Sequence, residues 1–123
     1  MTLNLQGLRT VGCKVADLTA AKEWYTKVLG IEPYFDQPFY VGFNVAGYEL
    51  GLEPEEGEGS PKGENTVTYW GVEDVNAAWD LLLASGATPL DNPMDVGDGI
   101  VVAAVKDPWG NAFGVICNPH FKL

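Results

Sequence analysis

The pattern Val15-x-Asp17-x-x-x-Ala21 returns 57 residues later as Val72-x-Asp74-x-x-x-Ala78, in a chain of 123 residues. A period of about half the chain requires two related modules, and it constrains the fold more than any single motif does. In each copy a strand-like stretch precedes the Asp, an amphipathic stretch follows it, and a Gly closes that stretch, at Gly30 and Gly86. The order reads as strand, capped helix and glycine stop. Asp17 and Asp74 suit the cap because a short carboxylate accepts hydrogen bonds from the free amides of a first helical turn and favours its positive end. Leu18, Ala21, Trp24, Tyr25, Val28 and Leu29 recur at helical spacing, as do Val75, Ala78, Trp79, Leu82 and Leu83, so each helix has one face to bury.

Three shorter strand-like runs follow each helix: Glu32–Asp36, Phe39–Val45 and Tyr48–Glu53, then Thr88–Val96, Ile100–Lys106 and Ala112–Cys117. The fold class is therefore α+β, two tandem βαβββ modules forming a curved mixed sheet around a cleft. Module one covers about 7–53 and module two about 66–117, joined by an acidic Gly/Pro/Ser-containing linker over 54–65 within a single domain of 1–123. Ala46-Gly47 and Asp98-Gly99 fit tight turns, and Asp107–Asn111 a longer one.

Alternation divides the strands into two faces. Val11, Cys13, Val15, Val41, Phe43, Val45, Tyr48, Leu50, Leu52, Thr68, Trp70, Val72, Phe113, Val115 and Cys117 form the helix-facing set. Trp24, Tyr25, Trp70 and Trp79 are core aromatics by the same periodicity. On the opposite face five strands each place a glycine: Gly12, Gly42, Gly51, Gly71 and Gly114. Either these mark tight curvature, or they leave a concave floor without side chains on which a ligand can lie; the two readings are compatible. A turn at Ala46-Gly47 sets Asn44 opposite Glu49, Gly42 opposite Gly51 and Tyr40 opposite Glu53.

Seventeen acidic against seven basic residues give a net charge of −10, which repels nucleic acid and anionic membranes and favours a neutral or cationic small-molecule partner. No apolar run is long enough to span a bilayer and the N-terminal residues lack a leader-like pattern, so a cytosolic protein is expected. Cys13 and Cys117 lie in apolar alternating stretches without a CxxC partner and read as buried free thiols. No phosphate-binding loop or Ser–His–Asp set is present, and His120 reads as a surface residue near the C-terminus. Glu49 and Glu53 are neighbours on one face and offer a candidate acid–base pair or a solvated edge.

The run Val15-Ala-Asp-Leu-x-x-Ala-x-x-Trp-Tyr-x-x-Val-Leu-Gly30 together with Asp107-Pro-Trp-Gly-Asn111, in a duplicated βαβββ chain, resembles the glyoxalase, bleomycin-resistance and extradiol-dioxygenase superfamily, the vicinal oxygen chelate fold. Metal-dependent members take a His, Gln or Glu from the first strand of each module and a carboxylate from the last. Carried over by the resemblance, those positions hold Thr10, Val67, Gly114 and Glu49, of which Glu49 alone matches a carboxylate ligand. The resemblance therefore implies a binder without metal or cofactor, akin to bleomycin-resistance proteins, sequestering a planar cationic compound. Tyr40 and Tyr69 would stack on it from the open face, Trp109 would form a rim, and Glu49 and Glu53 would hold the cationic group. The alternatives are a glyoxalase-like metal-dependent lyase, isomerase or dioxygenase with a site displaced to Glu49, Glu53, Asp95 or Asp98, and a module serving protein association. A homodimer is expected by analogy.

Overall fold

The computed structural model describes residues 2–57, 59 and 61–121; residues 58 and 60 of the expected linker, and Met1 of the expected leader-free N-terminus, lie outside them. The chain divides into two compact units, Met1–Gly59 and Ser60–Leu123, one for each module.

In the first unit, β1 (Thr10–Val15) leads into α1 (Leu18–Leu29), followed by β2 (Phe35–Gln37), β3 (Tyr40–Val45) and β4 (Tyr48–Pro54). Asp17 caps α1 as its spacing predicts, with its side chain accepting from the Ala20 amide at 3.0 Å. Gly30 closes the helix in the left-handed region at φ 71°, its N–H returning to Thr26 O, a conformation that costs any residue with a Cβ. Ala21 and Tyr25 are fully buried beneath the sheet, and Trp24, expected in the core, is half-buried edge-on to Tyr25. The strand order is β1-β4-β3-β2, with β1 parallel to β4 and the rest antiparallel. Ala46 and Gly47 both take positive φ, 52° and 96°, the signature of a type I′ hairpin. That turn fixes the expected register, Asn44 to Glu49 and Gly42 to Gly51; pairing ends at Val41 and Leu52, one step short of Tyr40 and Glu53.

The second unit repeats the order with β5 (Tyr69–Gly71), α2 (Val75–Ala84), β6 (Thr88–Gly97), β7 (Ile100–Lys106) and β8 (Ala112–Cys117), arranged β5-β8-β7-β6. Asp74 caps α2 through the Ala77 amide at 3.0 Å. The helix ends at Ser85 in the right-handed region, and Gly86 follows one residue later at φ 106°, so the second glycine stop lies just outside the cap. Ladders close within each module, so the mixed sheet is realised as two four-stranded sheets. Three register shifts interrupt β6, which carries no interior glycine; curvature in this sheet is made by bulges. Trp70 and Trp79 are half-buried, Trp70 stacking on Phe113. Cys13 is buried and Cys117 half-buried, both as free thiols. Among the described residues no helix is long and apolar enough to cross a membrane.

Candidate functional site

On the face of the first sheet opposite α1, the pairings Gly12 to Gly51 and Gly51 to Gly42 align three glycines in a row across adjacent strands. The row is not the bare floor expected from the sequence. A Cβ on Gly51 would meet the Tyr40 ring, with Cζ at 2.6 Å, and one on Gly42 would meet Glu49 Oε2 at 2.8 Å and the Tyr34 ring at 3.1 Å. Only above Gly12 does a Cβ find nothing within 4 Å. These glycines permit a close approach: two tyrosine rings lie against the backbone where a side chain would otherwise stand.

Both rings bring their hydroxyls to Glu49. Tyr40 donates to Oε1 at 2.8 Å, Thr10 donates to the same oxygen at 2.8 Å, and Tyr34 donates to Oε2. Thr10 arrives by register, as the cross-strand partner of Glu49, whose amide also binds Arg9 O. Tyr34 is placed by its amide on Gly42 O, just before β2. The Tyr34 hydroxyl holds the Glu49 carboxyl below its ordinary range, helped by Tyr40 and Thr10 and opposed by partial burial. Conversely, burial and the bond to Glu49 push the Tyr40 hydroxyl well up, and the same carboxylate raises Tyr34. Near neutral pH the cluster is one fixed anion under three protonated hydroxyls.

Sequence reasoning singled out Tyr40 and Glu49, and the structure brings these two together. Glu53 shares their face four residues along β4, paired in register with Lys14, and is not among the groups bonded to Glu49. Tyr69 and Trp109 belong to the second unit. Tyr69 covers Gly114, whose Cβ would meet its ring at 2.6 Å; Trp109 is half-buried in a turn organised by buried Asp107, which accepts from the Trp109 and Asn111 amides. Of the two glycines expected on that sheet's floor, Gly71 keeps its openness, with nothing within 4 Å. Sequence reasoning missed Tyr34, reading it only as part of a strand; its contact with Glu49 spans 15 residues and depends on the β2–β3 pairing. Around it lies an aromatic surface, Phe35 being 6.0 Å from Phe39 and 6.1 Å from Tyr40 between ring centres.

A family model described as Glyoxalase/Bleomycin resistance protein/Dioxygenase superfamily matches residues 7–115. The chain belongs to that superfamily. Two mycobacterial proteins, from Mycobacterium bovis and Mycobacterium tuberculosis, both named "Putative glyoxylase CFP32", are 30% identical over 115 residues, 85% of this chain. The chain spans 43% of the length of those curated relatives. A glyoxalase-related enzyme from Fulvimarina pelagi shares the fold at TM-score 0.79 and 20% identity, covering 97% of this chain and 93% of that one. A lactoylglutathione lyase from Agrobacterium tumefaciens does so at 0.73 and 18%, covering 97% and 100%.

The superfamily's metal-dependent members raise the question whether these residues suit a metal. They do not fit. Val67 is a hydrocarbon and Gly114 has no side chain, and any side chain at 114 would press on the Thr68 carbonyl at 2.9 Å besides Tyr69 and Val67. Within the duplication, Glu49 and Gly114 are not counterparts. The 57-residue offset maps Gly12 onto Tyr69, and these pair with Gly51 and Gly114 respectively, so the counterpart of Gly114 is Gly51, two residues beyond Glu49. Among the described residues no group of three His, Cys, Asp or Glu side chains is placed to hold an ion. Asp95 binds the Gly97 amide within its own turn, and the exposed His120 binds Asp98 O.

Proposed function

We propose that this superfamily member binds a small planar cationic compound on the Glu49 face without a metal, in the manner of a sequestering protein. The observation that carries the reading is the carboxylate of Glu49, fixed by the hydroxyls of Thr10, Tyr34 and Tyr40 beside the uncovered backbone of Gly12. A carboxylate held below its ordinary range under hydroxyls held above theirs is a poor proton shuttle near neutrality and a good counter-ion. The aromatic rings of Tyr34 and Tyr40 supply faces for a flat cation, and Glu53 adds negative charge along the same strand. Tyr69 and Trp109 are proposed as ligand contacts on the second module's own surface, and the protein is proposed to act as a homodimer, which light scattering checks.

The test is titration with proflavine, a flat cation at neutral pH, followed by its fluorescence anisotropy, using protein first dialysed against EDTA. The metal-stripped protein is expected to bind as the untreated protein does, and Glu49→Gln to weaken binding by about tenfold or more, the scale of a charge-assisted contact. Restoration of binding by added zinc or manganese, or an unchanged affinity in Glu49→Gln, would overturn the reading.

A further inference from the structure

The three hydroxyls do not divide evenly between the two oxygens of Glu49. Oε1 accepts from both Thr10 and Tyr40, whereas Oε2 accepts from Tyr34 alone. A carboxylate oxygen offers about two acceptor sites, so Oε1 is filled and Oε2 retains one. The donors also differ in how firmly they are held. Thr10 is a short side chain on β1 directly across from Glu49, and Tyr40 is half-buried on β3 with its ring against Gly51. Tyr34 precedes a three-residue edge strand, and 63% of its surface is exposed.

We propose that Thr10 and Tyr40 are the specificity-determining residues of this site: by saturating Oε1 they leave Oε2 as its one free acceptor, so the site selects cations with a single-point N–H donor. Protonated amines and protonated ring nitrogens meet that requirement. A guanidinium or amidinium fork needs one free acceptor position on each oxygen and finds Oε1 taken, so it gains nothing from its second N–H. A quaternary ammonium has no N–H to give to Oε2 and retains only the unbonded charge attraction of the carboxylate and that of the aromatic faces. Tyr34 occupies the other position on Oε2, so its hydroxyl is the donor that an N–H ligand sits beside and shares the oxygen with. This inference rests on the reading of Glu49 as a cation site and specifies which cations it takes.

Three benzylic probes separate the classes while keeping the ring constant: benzylamine, benzamidine and benzyltrimethylammonium. NMR titrations of the intact protein would measure each against wild type, Tyr34→Phe, Tyr40→Phe and Glu49→Gln. Wild type is expected to bind benzylamine about tenfold more tightly than benzyltrimethylammonium, and benzamidine no more tightly than benzylamine. Tyr40→Phe, which opens one position on Oε1, is expected to shift preference toward benzamidine by several-fold. Tyr34→Phe keeps the ring and removes a competing donor, so benzylamine binding should strengthen.

Equal binding of the amine and the quaternary ion, with both lost in Glu49→Gln, would keep the cation site and overturn the single-point selection. A wild-type preference for benzamidine would overturn it as well. Failure of all three probes to bind in the millimolar range would overturn the cation-site reading and this inference together.

Discussion

The two modules roof the same floor position from opposite sides. In the first, Gly51 is covered by Tyr40 from β3; in the second, its counterpart Gly114 is covered by Tyr69 from β5, the strand equivalent to β1. The position that carries Tyr69 in module two is Gly12 in module one, and there the backbone stays open. One duplicated scaffold therefore yields a sheet with a carboxylate beside an uncovered strand and another whose corresponding strand supplies an aromatic ring that covers its neighbour. The lesson is that a duplicated fold differentiates through which neighbour supplies the covering side chain, while caps, turns and ladders stay alike.

Introducing a methyl under each roof separates the two most strongly. At Gly114 the added Cβ faces a backbone carbonyl as well as two side chains, and Gly114→Ala is expected to cost about 1–3 kcal/mol by overpacking. At Gly51 the obstruction is the end of the Tyr40 side chain, which can swing aside, so Gly51→Ala should cost less and cut the bond to Glu49 instead. Denaturant melts of both variants measure this; equal losses would break the distinction.

The caps are where the modules should agree. Asp17→Ala and Asp74→Ala each remove one amide acceptor at 3.0 Å and are expected to cost about 1 kcal/mol apiece. Markedly unequal melting shifts would show that the helices depend on their caps to different degrees.

Acid tests the first module at Glu49, whose carboxyl its hydroxyl partners hold below the ordinary range. The folded Glu49 lies below its unfolded value, so its contribution to stability is present above the unfolded value and is lost as pH falls through the folded one. The stability gap between wild type and Glu49→Gln should therefore narrow as pH drops below about 4, with the carboxylate reference range setting the upper end. A gap unchanged from pH 7 to pH 3 would remove the electrostatic argument.

The smallest effect is expected at Gly12. Its φ lies outside the left-handed region and a Cβ meets nothing, so Gly12→Val should change stability by less than about 0.5 kcal/mol while obstructing the open strand. A large loss of stability would show that the opening has a structural purpose.

Local chemistry made much of the architecture legible. Asp17, Asp74, Ala46-Gly47 and Asp98-Gly99 act within four residues, and their bonds form wherever the chain goes next. The hairpin then transmitted its register to the face assignment of Glu49 and Tyr40. The site was legible only in part, because it depends on side chains crossing strands. Glycines at Gly42, Gly51 and Gly114 looked bare because the sequence does not reveal a ring folding over from a neighbouring strand. Tyr34 was hidden for the same reason, and the half-burial of the tryptophans reflects large rings at the margins of small sheets. That Gly51, two residues beyond Glu49, is the internal counterpart of Gly114 is visible only in the ladders.

The inward aim of the hydroxyls on Thr10, Tyr34 and Tyr40 has an outward consequence. Each has committed its one proton to the carboxylate, so what it turns to the surroundings is lone pairs. Phosphates, sulfates and other electron-rich visitors therefore gain no hydrogen bond from these three hydroxyls while Glu49 holds their protons.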